Sequence, residues 1–115
     1  AEEQLRIRVA AIAEDEDVTV ESRSLARFEP VEFDERVVEQ IELLAEKTGL
    51  STKRMPSGAG HDAQMMARIC PTGMIFVPSL DGISHNPAEH TDEKDLIAGA
   101  QLLSDTMLAL TEVDW

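Results

Sequence analysis

The 115 residues of the chain are enough for one domain and too few for two, and its 10 basic and 23 acidic side chains give a formal net charge of −13. This charge argues against nucleic acid and anionic membranes as partners, because both present repelling phosphates. No apolar run approaches the roughly 20 residues that span a bilayer, the first residues lack the pattern of a signal peptide, and the single cysteine, Cys70, cannot form an intrachain disulfide. We therefore expect a small, acidic, cytoplasmic protein.

The N-terminal part of the chain predicts one helix and one strand. Leu5, Val9 and Ile12 recur at helical spacing over 2–14. An acidic turn follows at 14–17, and the alternation of residues over 18–28 is typical of a strand with a weakly apolar inner face. The extended connector at 29–32, which contains Pro30, is the predicted boundary between two structural units.

Beyond this boundary the sequence predicts three helices and two strands. Asp34 is a good N-cap and Gly49 a good stop for a helix whose buried stripe is Val37, Val38, Ile41, Leu44 and Ala45. A short strand at 52–55, a helix from 61 to about 69 with Ala63, Met66 and Ile69 inward, and a buried strand at 72–77 follow. Thr91 then caps a long helix with the apolar face Leu96, Ile97, Ala100, Leu103, Met107 and Leu110.

The alternation of helix and strand after residue 33 predicts the α/β class, with parallel strands and helices packed on them. Two strands alone leave long unpaired edges, which soluble proteins normally cover. The sequence therefore looks like a piece of a larger, mixed or parallel sheet.

The glycine-containing stretch at 57–63 is the first candidate site. Its small residues lie between a predicted strand and a predicted helix, where backbone N–H groups can approach a carboxylate or ureido group that His61 would orient. The stretch lacks the lysine and the spacing of a phosphate loop. The alternative is a plain turn in which His61 is an exposed residue of the first helical turn.

The second candidate site is the polar loop at 82–91. His85 follows a buried strand, and such a histidine can present one ring nitrogen to a metal while an acceptor holds the other. Glu89 could be that acceptor, could hold the loop, or could belong with His90 to ordinary capping of the next helix. Catalytic zinc sites use about three protein ligands, and His85 has no partner histidine at a ligand spacing, so this chain does not predict a complete metal centre.

The lone cysteine is predicted to be a buried structural thiol. Cys70 precedes Pro71 at a helix end, and the sequence places no histidine beside it. A thiol hydrolase that uses Cys70 with His61 or His85 is therefore the weakest of the functional hypotheses.

Three stretches carry a resemblance to a known family: PSGAGHDAQ at 56–64, MIFVPS at 74–79 and GISHNPAE at 82–89. They resemble the C-terminal part of amidohydrolases of the hydantoinase/carbamoylase type within the M20 metallopeptidase-like clan, which includes N-carbamoyl-L-amino-acid hydrolase, beta-ureidopropionase and allantoate amidohydrolase. The resemblance implies that 1–32 are the end of a lid or dimerisation domain, as a helix and a strand. It implies that 33–115 are the C-terminal portion of a metal-dependent catalytic domain with a metallopeptidase-like sheet.

The resemblance also implies roles for individual residues. His85 matches the last metal ligand of a centre of two divalent ions (zinc, or manganese, cobalt or nickel). Gly60 and His61 match positions that bind the polar end of the substrate, and Asp62 and Glu89 are assigned supporting roles only. His90 stands where an aromatic residue is expected. No catalytic residue lies within this chain, because the general base and the other ligands are expected upstream.

The implied partners follow from these roles. They are a small ureido or carbamoyl amino acid substrate, the missing N-terminal catalytic portion and, for the intact enzyme, a second copy in a homodimer, with no nucleic acid and no membrane. The chain alone is expected to be an inactive fragment that binds zinc weakly or not at all. The alternative is a non-catalytic α/β module that binds a small acid or a partner through an open sheet edge.

Overall fold

The computed structural model describes residues 2–113, and its regular structure in that range is helical. It comprises α1 (Glu2–Asp15), α2 (Glu35–Lys47), α3 (Ala63–Met66), a 3-10 turn at Leu80–Gly82 and α4 (Glu93–Leu110). Within the described range, none of these helices combines the length and the apolar character that crossing a membrane requires. The chain divides into two compact units, Ala1–Pro30 and Val31–Trp115, so the division falls close to the predicted boundary after residue 32. The assignment of 1–32 to a lid and of 33–115 to a catalytic domain stays a prediction.

The first unit consists of α1 followed by an irregular segment at 18–30. The helix predicted over 2–14 is confirmed, but Leu5 and Ile12 on its apolar stripe are 63% and 60% exposed. Asp17 turns the chain with a φ of +49°, and the Arg27 guanidinium donates to the Glu2 carboxylate across 2.6 Å. The predicted strand at 18–28 is not formed, because a strand needs a hydrogen-bonded neighbour and this segment has none among the described residues.

Helix α2 begins and ends where its local sequence predicts. The Asp34 carboxylate accepts a hydrogen bond from the backbone N–H of Arg36 at 2.9 Å, which satisfies one of the free donors at the helix start. The side-chain hydrogen bond from the Arg36 guanidinium is the largest reason that the pKa of Asp34 lies below its usual value. At the other end Gly49, with a φ of +75°, donates to the carbonyl of Glu46, and the next N–H donates to the carbonyl of Ala45. These two bonds form a Schellman motif, which closes the helix.

The core of the second unit lies where α2, α4 and the segment at 72–77 meet. Two glycines of this core make room for valine side chains. A Cβ atom on Gly73 would lie 2.7 Å from Cγ1 of Val37 in α2, and one on Gly99 in α4 would lie 2.4 Å from Cγ1 of Val77. The segment therefore contacts α2 at one end and α4 at the other. The buried side chains that α2 and α4 contribute are Val37, Ala45, Leu102 and Thr106.

Helix α4 packs with a different face from the one that its apolar pattern predicts. Leu102 and Thr106 are only 7% and 4% exposed, whereas Leu103 and Met107 of the predicted face are 52% and 62% exposed. The prediction was wrong because α4 is apolar on two sides, and periodicity alone does not say which side meets α2. The second side is hereafter the exposed α4 face: Leu96, Ile97, Leu103, Met107 and Leu108.

The other predicted elements of the second unit are shorter than expected or absent. No backbone hydrogen bond joins 52–55 to 72–77 in the described range, so the predicted parallel sheet is not formed by this chain's own residues. The helix predicted at 61–69 is limited to Ala63–Met66, and Ile69 is 78% exposed instead of inward. The N-cap of α4 is Asp92 instead of Thr91.

Arg54 attaches the segment at 52–55 to α2. Its guanidinium donates to both carboxylate oxygens of Glu42, at 2.8 and 2.7 Å, and to Glu35 at 2.6 Å. The hydrogen bonds to Glu42 and then to Glu35 raise the pKa of Arg54 above its usual value, and the hydrogen bond from Arg54 lowers the pKa of Glu42. The chain therefore enters the glycine-containing stretch from a defined position on α2.

Candidate functional site

The predicted site residues lie on two exposed stretches, the glycine loop (56–62) and the histidine loop (79–90). Gly60, His61 and Asp62 are exposed on the first, and His85 and Glu89 are exposed on the second. Among residues 2–113 no hydrogen bond joins the two loops. In that range the hydrogen bonds of each loop are therefore separate from those of the other.

The backbone around α3 fixes one ring nitrogen of His61. Its Nδ1 accepts a hydrogen bond from the backbone N–H of Ala63 at 3.0 Å. Because that lone pair is used, the neutral imidazole carries its proton on Nε2 and presents an N–H donor on the side away from the backbone. The backbone N–H of His61 donates in turn to Oε1 of Gln64, over a longer distance of 3.4 Å. His61 thus caps the start of α3 through Nδ1 and has no hydrogen-bond partner at Nε2 among residues 2–113, so its exposed position in the first helical turn is compatible with the binding prediction.

The chain's own packing does not explain the glycine at position 60. The φ of Gly60 is not left-handed, and within the described range a Cβ atom there would meet only Oε1 of Gln64 at 3.8 Å, an ordinary contact. Asp62 precedes α3, but its carboxylate makes no cap hydrogen bond. Because α3 has only four residues, shorter than the helix predicted from 61 to about 69, its dipole adds little to anion binding.

The histidine loop is closed by hydrogen bonds of its own. The backbone N–H of Leu80 donates to the carbonyl of His90 at 2.7 Å and joins the two ends. Between them, Oδ1 of Asn86 accepts from the N–H of Ala88 and the carbonyl of Asn86 accepts from the N–H of Glu89, both at 2.9 Å. A loop that satisfies its backbone groups in this way has a defined shape.

His85 occupies a strained backbone position in this loop. Its φ is +56°, a left-handed conformation that costs a residue with a Cβ atom roughly 1–2 kcal/mol. Oε2 of Glu89 accepts a hydrogen bond from the backbone N–H of His85 at 2.8 Å. Of the roles open to Glu89, the structure therefore shows contact with the backbone of His85 and not with its ring. Within residues 2–113 the imidazole of His85 has no hydrogen-bond partner.

The described residues do not complete a metal centre. In the range 2–113 no group of three or more histidine, cysteine, aspartate or glutamate side chains is arranged to hold a metal ion. His85 supplies one exposed imidazole, which is a normal ligand for zinc and related ions. His90 instead lies 3.7 Å from the Asp92 carboxylate at the start of α4.

Cys70 is exposed, which corrects the prediction of a buried thiol. Its Sγ atom donates to the carbonyl of Met66 at 3.4 Å and lies 3.7 Å from Oγ1 of Thr72. A catalytic thiol needs a base within hydrogen-bond distance, and in the part of the chain that the structure describes no histidine forms such a bond with Cys70.

Two residues that shape the loops were missed by the sequence reasoning. Asn86 forms an Asx turn after His85, and the pairing of asparagine with turns is a usable signal for it. Gln64 accepts from the backbone three residues earlier, which is the glutamine half of a capping box.

A protein-family model and several named proteins are similar to nearly the whole chain. The profile of the peptidase family M20/M25/M40 matches residues 1–109. The chain is 40% identical over 113 residues to an allantoate amidohydrolase of Escherichia coli, which covers 98% of this chain and 27% of that protein. It is 37% identical over 108 residues to an N-carbamoyl-L-amino acid amidohydrolase of Geobacillus stearothermophilus, with 94% of this chain and 26% of that protein covered.

A solved structure shows the same fold. An amidase of the hydantoinase/carbamoylase family from Burkholderia vietnamiensis matches with a TM-score of 0.86 and 39% identity, over 91% of this chain and 25% of that chain. The chain therefore spans about a quarter of the length of these relatives. The resemblance drawn from the loop motifs is confirmed, and a metallopeptidase-like fold fits the structural match. The chain belongs to the peptidase family M20/M25/M40.

Proposed function

We propose that this chain forms the C-terminal part of a metal-dependent amidohydrolase that cleaves non-peptide C–N bonds of N-carbamoyl amino acids or related ureido compounds. Relatives at about 40% identity bear the names allantoate amidohydrolase and N-carbamoyl-L-amino acid amidohydrolase, which support this class of reaction. In the proposed enzyme His85 is a metal ligand, and Gly60 and His61 bind the polar end of the substrate.

The observation that best supports the proposal is the exposed ring and the left-handed backbone of His85. Its ring is exposed and has no hydrogen-bond partner among residues 2–113, while its backbone is held in a strained conformation by a closed loop. Strained backbone maintained by surrounding contacts is characteristic of functional sites. One imidazole fits one position of a metal centre, and the remaining ligands are proposed to come from polypeptide outside this chain. Two divalent ions, zinc or manganese, cobalt or nickel, would polarise the carbonyl to be attacked and lower the pKa of a bound water.

The glycine loop supports the proposed substrate contact. The missing side chain of Gly60 leaves its backbone open to a ligand, and no contact with residues 2–113 accounts for a glycine there. His61 presents an Nε2–H donor, because Nδ1 is engaged by the backbone of Ala63. Such a donor can bind a carboxylate or a ureido oxygen of the substrate, and Asp62 and Glu89 have supporting roles.

Further polypeptide is part of the proposal. The exposed α4 face presents five large apolar side chains to solvent, with Leu96 at 52% and Leu108 at 66% exposure, and contiguous apolar patches of this kind mark interaction sites. We therefore expect the chain to act together with an N-terminal catalytic portion, in an enzyme that is a homodimer. An exposed free thiol at Cys70 supports a reducing, cytoplasmic location.

The test compares two histidines of the same loop in the full-length protein that contains this chain. We expect His85→Ala to lose metal, measured by inductively coupled plasma mass spectrometry, and to lose nearly all turnover of N-carbamoyl amino acids and allantoate. The matched control is His90→Ala, whose side chain among the described residues pairs only with Asp92 at the start of α4 and which should keep both metal and turnover. Full metal content and normal turnover in His85→Ala would refute the assignment.

A second measurement addresses the chain by itself. Isothermal calorimetry with zinc chloride should show weak binding or none, since a single imidazole is the only ligand that we assign to this chain. Tight binding of one or more zinc ions per chain would contradict the proposal that the other ligands lie elsewhere.

A further inference from the structure

Three residues of the histidine loop have a left-handed backbone conformation, and the conformations have different causes. Asp81 and Gly82, with φ values of +53° and +68°, lie in the 3-10 turn, where the N–H groups of Gly82 and Ile83 donate to the carbonyls of Ser79 and Leu80. Glycine adopts such a conformation without strain, and aspartate tolerates it better than most residues. His85, with a φ of +56°, lies outside that turn, so its conformation needs a separate explanation.

Glu89 supplies that explanation. Its Oε2 atom accepts from the backbone N–H of His85 at 2.8 Å, and a hydrogen bond to an ionised carboxylate is about twice as strong as a neutral one. The backbone of Glu89 is itself fixed, because its N–H donates to the carbonyl of Asn86 at 2.9 Å. The carboxylate therefore reaches back four residues from a defined position and holds the amide of the strained residue.

The backbone conformation of His85 decides where its ring can go. A change of φ from the left-handed to the ordinary region rotates the Cα–Cβ bond relative to the rest of the loop. Residues that hydrogen-bond a metal-ligating side chain commonly increase metal affinity by orienting that side chain. Glu89 differs from the usual case, because it contacts the backbone of His85 and not its ring.

We propose that Glu89 is a positioning residue: its carboxylate holds the backbone N–H of His85, keeps the residue left-handed and thereby orients the imidazole toward its metal. This inference rests on the proposed function of His85. Glu89 is proposed to contact neither substrate nor metal. The proposal predicts that the length of the side chain at position 89 matters more for zinc affinity than its charge.

The experiment uses variants at position 89 in the full-length protein, with zinc affinity measured by competition with a chromophoric chelator. Glu89→Ala removes the acceptor and should weaken zinc binding by roughly 10–100-fold. Glu89→Gln keeps an oxygen within reach of the His85 amide and should lose less. Glu89→Asp keeps the charge but is one methylene shorter, so it should lose nearly as much as Glu89→Ala. We therefore expect Glu89→Gln to bind zinc more tightly than Glu89→Asp.

The opposite order would overturn the inference. If Glu89→Asp binds zinc better than Glu89→Gln, the carboxylate acts through its charge and not through the His85 amide. This comparison remains decisive if Glu89→Ala is not recovered as folded protein. The matched control for charge is Glu93→Ala in the first turn of α4, because Glu93 is exposed and forms no hydrogen bond through its carboxylate within the described range. Glu93→Ala should leave zinc affinity unchanged.

A double-mutant cycle separates positioning from general stability. In the His85→Ala background, which should still bind the ion of the proposed pair that His85 does not ligate, Glu89→Ala should cause no further loss of zinc affinity, because there is no ring left to orient. An equal loss in both backgrounds would show a purely structural role and refute the inference. If His85→Ala retains its zinc, the proposed function itself fails. If His85→Ala loses zinc while Glu89→Ala matches Glu93→Ala, only the role of Glu89 fails.

Discussion

Replacing Gly99 by alanine tests how closely α4 packs on Val77 in the core. Gly99 lies in α4, and a Cβ atom there would sit 2.4 Å from Cγ1 of Val77 in the segment at 72–77. Carbon atoms in contact are normally separated by about 3.5–4.0 Å, so α4 and the segment would have to move apart by about 1 Å. Since the nearest atom is the methyl group of a β-branched side chain, rotation of Val77 gives little relief.

Two opposing effects set the size of the change. Overpacking of a core site costs about 1–3 kcal/mol, whereas alanine in place of glycine stabilises a helix by about 1 kcal/mol. Because the overlap at Val77 is severe, we expect Gly99→Ala to lower the free energy of unfolding by about 1–2 kcal/mol. The propensity gain alone predicts the opposite sign.

Urea unfolding of Gly99→Ala, Val77→Ala and the double variant, followed by far-ultraviolet circular dichroism, measures the coupling. With the methyl groups of Val77 removed, Gly99→Ala should become stabilising by up to about 1 kcal/mol, so that the two sites couple by about 2 kcal/mol. Gly58→Ala is the control, since its Cβ atom would meet no atom of residues 2–113 within 4 Å. The packing argument is refuted if Gly99→Ala stabilises the protein equally in both backgrounds.

The remaining predictions concern other contacts of the second unit. In the chain alone, Leu102→Ala should lower the free energy of unfolding in urea by about 2–5 kcal/mol and Leu103→Ala by only about 0.5 kcal/mol. The reason is that Leu102 is 7% and Leu103 52% exposed. Equal losses of stability would refute the observed orientation of α4. Gly73→Ala should destabilise the chain by about 1–3 kcal/mol, since it overlaps α2 without a gain in helix propensity, and an unchanged urea midpoint would contradict this contact. The hydrogen bond from Arg54 lowers the folded-state pKa of Glu42, so the pair stabilises the fold above the ordinary glutamate pKa, and this contribution is lost as the pH falls through the lowered value. The stability difference between the natural chain and Glu42→Gln should accordingly be present at about pH 7 and vanish near about pH 2, and a difference that persists in acid would contradict the sign.

The elements that the sequence predicts well are those whose signals are local. Asp34 and Gly49 flank α2, and both do in the structure what their residue types favour, as N-cap and as the left-handed residue of the C-terminal motif. These interactions are made within a few residues of the chain. The pattern of a single sequence is therefore sufficient to place them.

The elements that the sequence predicts poorly depend on partners distant in the chain. The predicted strands at 52–55 and 72–77 need continuous ladders of backbone hydrogen bonds that residues 2–113 do not supply. The orientation of α4 depends on which of two apolar sides meets α2, and Leu102 and Leu103 are equally apolar. Apolar periodicity describes a helix by itself and does not choose between two such sides.

The candidate site shows the same division. His61 and His85 could be selected from their residue type and loop position, but the partner of Glu89 could not, because it depends on a left-handed φ at His85, which is uncommon for residues other than glycine. Glycine or asparagine would have signalled such a position. Histidine is a weaker signal, because most histidines have an ordinary φ.

The contacts within the chain separate two kinds of residue and give them different experimental signatures. Gly73 and Gly99 are explained by the valine side chains that they accommodate, so their substitution should change stability. The glycine at position 60 and the exposed ring of His85 have no such explanation among the described residues. Their substitution should leave stability nearly unchanged, because it removes no contact of the fold, and should change binding instead. His85 combines the two effects. Its left-handed backbone lowers the stability of the fold, while its ring makes no hydrogen bond with the described residues and remains available for binding.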